Sequence, residues 1–143
     1  MKLDQQRCDE LLHRSGRGIL GTVHPERGVD AVPVCFAVEG TALAVPVDTV
    51  KPKASAELQR ARNLDADGRA VLLCDHWDPA DWSRLWWVRA SLERVDTGEA
   101  GRARLELLLA EKYPQYRDHP FSDVLTFRIS GLTGWSGGSG PRS

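Results

Sequence analysis

"RAVLLCDHWDPADWSRLWWVRASLERV", residues 69–95, is the stretch on which the fold turns. Its opening, "RAVLLCDH", is a short apolar run of the length expected for a buried strand. "WDPAD" (77–81) sets Pro79 between two aspartates and reads as a loop. "SRLWWVRASLERV" (83–95) reads as a long strand. In it Trp86, Val88, Ala90 and Leu92 share one face, while Trp87, Arg89, Ser91 and Glu93 share the other. Four of the chain's five tryptophans, Trp77, Trp82, Trp86 and Trp87, fall in this block. The apolar face makes Trp86 a core residue. Trp87, beside Arg89 and Ser91, suits a dimer seam or a pocket wall. Trp77 and Trp82 flank an acidic loop of the kind that lines sites.

Upstream, "TVKPKASAELQRARNL" (49–64) holds Ala54, Leu58, Ala61 and Leu64 at helical spacing. Pro52 disfavours helical geometry at Lys51, so the helix is predicted over 54–64. Further back, "GILGTVH" (18–24), "VDAVPVCFAVE" (29–39) and "TALAVPVD" (41–48) are β-rich runs divided by "PERG" and "EG". They predict three strands of an antiparallel meander. Residues 4–14 suit a helix capped by Asp4, with Cys8, Leu11 and Leu12 as its apolar stripe. Downstream, a helix is predicted at about 100–113, closed by Pro114. "DVLTFRIS" (123–130) alternates as a last strand before the Gly-rich "GLTGWSGGSGPRS" (131–143).

This order gives six strands and three helices, an α+β chain that is mainly β. It argues for a small antiparallel barrel with peripheral helices and against a doubly wound sheet. With 143 residues, a single domain over 1–135 and a flexible tail over 136–143 are expected.

Lys plus Arg is 19 and Asp plus Glu is 20, a net charge of −1. Such a balance exerts no general attraction on nucleic acid or an anionic membrane, so an anion site has to be local. No apolar run approaches the roughly 20 residues that span a bilayer, and "MKLDQQRCDELL" has no signal-peptide pattern. Cys8, Cys35 and Cys74 are odd in number and dispersed, which suits reduced thiols in a cytoplasmic protein.

The sharpest chemical signal is Lys51-Pro52-Lys53 at the start of a helix. A helix N-terminus already carries positive partial charge, so two lysines there conflict with local electrostatics. A bound anion resolves the conflict through free N–H groups and both ammonium heads. Thr49 and Ser55 add hydroxyls nearby. The competing reading is a pair of solvated loop lysines. His76 with Asp75, Asp78 and Asp81 lacks the ligand spacing of a metal motif, and no metal site is expected. No G-x-S-x-G, H-E-x-x-H, Walker or G-x-G-x-x-G pattern occurs. Catalytic residues stay unassigned, and an enzyme of this sequence would take its reactive group from a cofactor.

"DAVPVCFAVEG", "VDTVKPK", "RNL", "LLCDHWDPADWSRLWWVRA", "EKYPQY" and the late "GWS" together resemble small actinobacterial oxidoreductases. These are split β-barrels related to pyridoxamine 5′-phosphate oxidase, in the branch using the deazaflavin coenzyme F-420. The resemblance runs from about Gly18 to Trp135. It implies a six-stranded antiparallel split barrel of the FMN-binding type and a homodimer with cofactor sites at the subunit interface. It further implies Lys51 and Lys53 on the cofactor's anionic tail, with Val47, Asp48 and Thr49 alongside. Pro33 and Val34 would lie by the ring, and Trp77 or a neighbour such as Trp87 would approach from the partner. The implied reaction is hydride transfer between F-420 and a conjugated or heteroaromatic small molecule, with no nucleic-acid or membrane partner. The alternatives are an FMN enzyme on the same scaffold, or a non-catalytic carrier of flavin, deazaflavin or haem.

Overall fold

The structure is a computed structural model that describes residues 1–47, 55–118 and 123–138, with backbone alone for 55–58. Helix α1 (Gln5–Arg14) leads into β1 (Gly18–His24), β2 (Gly28–Val34), β3 (Ala37–Glu39) and β4 (Ala42–Val47). Helix α2 (Ser55–Ala66), β5 (Arg69–His76), β6 (Trp86–Arg94), α3 (Gly98–Lys112) and β7 (Asp123–Ser136) follow. The strands form one antiparallel sheet in the order β2-β1-β5-β6-β7-β4-β3. No described helix is long and apolar enough to cross a membrane.

The architecture is mainly β with three helices, but the sheet has seven strands and two open edges rather than six strands in a closed ring. The added strand comes from a break in "VDAVPVCFAVE", where pairing stops after Val34 and resumes at Ala37. Phe36 sits in the break, fully buried. Its N–H donates to the Tyr113 hydroxyl at 3.1 Å, and its carbonyl accepts from Lys112 Nζ at 3.0 Å. The end of α3 thus satisfies the backbone groups that leave the ladder, as buried peptide groups require.

A second departure lies at the C-terminal end. β7 runs through the Gly-rich stretch to Ser136, so residues 131–136 are strand, paired with Ser91–Trp86. Gly134 is there for contact, not for looseness. At Gly134 a Cβ would come within 2.7 Å of Cys8 Sγ and 3.1 Å of the Trp87 carbonyl, so α1 packs where only glycine fits. Leu3 N–H donates to the Gly134 carbonyl at 2.9 Å, drawing the N-terminus onto the same strand.

Local rules account for much of the rest. Asp4 caps α1 by accepting from Arg7 N–H at 2.8 Å, and Cys8, Leu11 and Leu12 are its buried stripe. On β6, Val88, Ala90 and Leu92 are buried, with Leu20, Leu43, Leu72 and Phe127 from facing strands in the same core. Trp86 is partly buried against that core. Helix α2 is held to the sheet by the fully buried Asn63, whose amide donates to Thr22 Oγ1 at 2.9 Å and Asp30 Oδ2 at 2.8 Å. That hydrogen bond, with the Arg27 guanidinium, holds the Asp30 carboxyl below its usual range.

Candidate functional site

The outer face of the sheet is the first candidate. Strand register aligns Pro33 with Ile19, Ile19 with Leu73, Leu73 with Arg89 and Arg89 with Thr133. The neighbouring row runs Asp75, Trp87, Trp135. All these residues alternate with buried ones and so point away from the core. Val29, Leu73 and Trp135 are exposed, and Trp87 is half covered by the Arg89 guanidinium at 5.3 Å from its ring. Among the described residues this face carries one tryptophan directly opposite another.

The β5–β6 connection is rigidly wound. Asp78 Oδ1 accepts from Ala80 N–H at 3.0 Å, and Asp81 Oδ1 accepts from Ser83 N–H at 3.0 Å and its hydroxyl at 2.6 Å. These carboxylates shape the loop rather than converge on a point. No group of three His, Cys, Asp or Glu suited to a metal occurs among the described residues. Trp77 and Trp82 lie on the outside of the loop with centroids 6.0 Å apart and planes tilted by 42°, 56% and 68% exposed. His76 instead stacks on Trp86, with centroids 6.2 Å apart and planes 21° apart.

Under α1 lies a cavity of about 580 Å³, lined by Arg7, Arg14, His76, Arg84 and Trp86 among others. A second, of about 430 Å³, shares Arg14 and Trp86 with it and extends along Arg17, Ile19, Leu73 and Asp75. This groove is not visible from sequence, because helix 4–14 and the tryptophan block are distant in the chain. The helical period alone does place Arg7 and Arg14 on one face of α1, about two turns apart.

The site residues named from the sequence fall in three places. Pro33 is exposed on the outer face, and Val34 is buried in the core. Val47 ends β4, half-buried and packed against the core cluster. Trp77 and Trp87 lie on the β5–β6 hairpin as described. Asp48, Thr49, Lys51 and Lys53 lie outside the described residues.

No protein-family model matches the chain, and no curated sequence matches it significantly. Solved structures do. A conserved hypothetical protein of Mycobacterium tuberculosis is 18% identical, with a TM-score of 0.70 over 94% of this chain and 86% of that one. A FAD-binding protein of Mesorhizobium loti is 12% identical, with a TM-score of 0.68 over 94% and 95%. An F-420 reductase is 20% identical, with a TM-score of 0.57 over 87% and 94%. These likenesses show the fold: the chain has the split-barrel architecture that these structures share. At such identities they speak to the fold and to nothing finer.

Proposed function

We propose that the protein is a cytoplasmic, homodimeric oxidoreductase that binds coenzyme F-420 between its subunits and exchanges hydride with a conjugated or heteroaromatic small molecule. The observation that carries this reading is the uncovered outer face of the sheet, where Pro33, Leu73, Trp87 and Trp135 lie among open aliphatic positions. Exposed apolar surface of this extent marks an interaction site. A second copy seated there brings exposed aromatic side chains such as Trp77 toward the other subunit's Pro33. The F-420 reductase of the same fold supports the choice of cofactor.

The residue chemistry fits the ligand. F-420 carries a phosphodiester and an acidic tail, and Lys51 and Lys53, with Asp48 and Thr49, occur between β4 and α2. In the proposal the lysines hold the tail, Val47 borders it, and Pro33, Trp77 and Trp87 flank the ring. Val34 is buried, so it acts by supporting Pro33. When bound, the deazaflavin supplies the hydride. The chain's task is to bind, orient and keep water out. A flavin enzyme on this scaffold is the second reading, favoured by the FAD-binding protein of the same fold.

Equilibrium binding of F-420 and FMN to the cofactor-free protein tests both readings. F-420 is expected to bind more tightly, with affinity falling as salt rises. Charge-assisted hydrogen bonds are worth about 1.5–3 kcal/mol, so Lys53→Ala should weaken F-420 roughly ten- to a hundredfold, and Lys51→Ala less. Tighter FMN binding at every salt concentration selects the flavin reading. A monomer at micromolar concentration removes the shared site.

A further inference from the structure

The groove under α1 uses none of the residues assigned to the cofactor. Its walls come from α1, the turn before β1, the end of β5 and the start of β6. Four guanidinium groups line it, from Arg7, Arg14, Arg17 and Arg84, against the two carboxylates of Asp75 and Asp81. In a chain whose net charge is −1, that is a local surplus of positive charge.

The four arginines differ in how far the protein itself satisfies them. Arg7 is 13% exposed and bonds Glu10 at 3.1 Å. Arg84 reaches Asp78 only at 3.7 Å. The guanidiniums of Arg14 and Arg17 have no hydrogen-bond or ion-pair partner among the described residues. Arg14 lines both cavities, and so does Trp86. One side of Trp86 is packed on the core and His76 lies parallel to it. The groove therefore offers a fixed aromatic surface with planar cations beside it.

We propose that this groove binds a planar organic anion, an aromatic or heteroaromatic carboxylate, with its ring against Trp86 and its carboxylate on Arg14. Guanidinium and carboxylate match in plane and spacing, so the pair can form two parallel hydrogen bonds. An inorganic anion leaves the aromatic wall unused. A neutral arene leaves the cations unused. Cavities of about 580 and 430 Å³ lie within the usual range, roughly 300–1,000 Å³, for small ligands.

The test is calorimetric titration of the full, cofactor-free chain with 2-naphthoate, its neutral isostere 2-naphthamide, and inorganic phosphate. The expected result is measurable naphthoate binding, with naphthamide and phosphate each at least tenfold weaker. Arg14→Gln, an exposed change that leaves the core untouched, should weaken naphthoate at least tenfold and leave naphthamide as it was. Trp86→Phe should weaken both aromatic ligands, and the indole N–H resonance it removes identifies the signal that naphthoate shifts in the parent. Arg27→Gln, at the far end of β1, should change nothing. Equal binding of naphthoate and naphthamide, phosphate as tight as naphthoate, or an Arg14→Gln variant that binds like the parent would each overturn the proposal. So would the absence of naphthoate binding up to millimolar concentration.

Discussion

Lys112 and Arg14 occupy equivalent places, each in the last turn of a helix, where a cation suits the negative end of the helix dipole. Their surroundings differ completely. Lys112 is half-buried, its ammonium donating to the Phe36 carbonyl at 3.0 Å and lying 3.8 Å from the centre of the Phe36 ring. Burial pushes its pKa down, and the neighbouring thiols of Cys74 and Cys35 work weakly the other way. Arg14 is exposed and faces a groove in which its guanidinium bonds no acceptor among the described residues. The same local rule has produced a rivet at one end of the fold and an open binding group at the other. What separates them is tertiary: α3 ends against a gap in a strand, and α1 ends above a cavity.

The largest expected effect lies on the closed side. Phe36 is fully buried and carries both the carbonyl and the ring that Lys112 uses. Phe36→Ala should cost about 3–5 kcal/mol, the usual range for a phenylalanine removed from a core. Chemical denaturation measures it directly. A loss below about 1 kcal/mol would mean that the gap between β2 and β3 closes on its own, and the contrast with Arg14 would lose one arm.

The next effect is a pH signature. Burial raises the Tyr113 phenol from 10.0 to about 12, while its hydroxyl donates to the Gly16 carbonyl at 2.8 Å. A raised folded pKa gives stability that is complete below the unfolded value and lost as pH climbs toward the folded one. Tyr113 should therefore stabilise the fold fully below pH 10 and progressively less up to about pH 12. Lys112 has the opposite sign. Its folded pKa is lowered, so the unfolded chain holds the proton longer, and stability rises as pH climbs toward 10.5. Tyr113→Phe should remove the part of the alkaline fall that lies between pH 10 and about 12, leaving the contribution of the buried Cys8 and Cys74 thiols, and Lys112→Met should remove the rise. A parent curve unchanged by either substitution would show that neither group is desolvated in solution.

These two ends were unequally legible. The cap at Asp4, the stripe of α1 and the two faces of β6 follow from period and local chemistry, and the structure reproduces them. The break at Cys35–Phe36 was hidden because "VDAVPVCFAVE" runs apolar straight through it, and the reason for the gap lies 77 residues away in Tyr113. Gly134 reads as part of a tail because a glycine carries no sign of the helix that packs on it. The groove was invisible for a similar reason: Arg14 and Trp86 are brought together only when α1 crosses the β6–β7 pair. The lysine segment is the reverse case. Its chemistry is readable from Lys51-Pro52-Lys53, while its geometry lies outside the described residues.

The smallest expected effect is the one that keeps the contrast honest. Arg14→Gln removes a solvent-exposed guanidinium without an ion pair among the described residues. Its stabilising interaction with the α1 dipole is worth only about 0.3–1 kcal/mol at low salt and less when screened. Denaturation at moderate salt should thus show a loss of no more than about 0.5 kcal/mol, typical of an exposed site. Lys112→Met, by comparison, should alter stability and its pH dependence while leaving naphthoate binding alone, since Lys112 lines neither cavity of the groove. If Arg14→Gln instead costs more than about 1 kcal/mol, the guanidinium has found an acceptor within the chain. Arg14 would then be a second rivet, and the groove would lose the cation on which its affinity for a carboxylate depends.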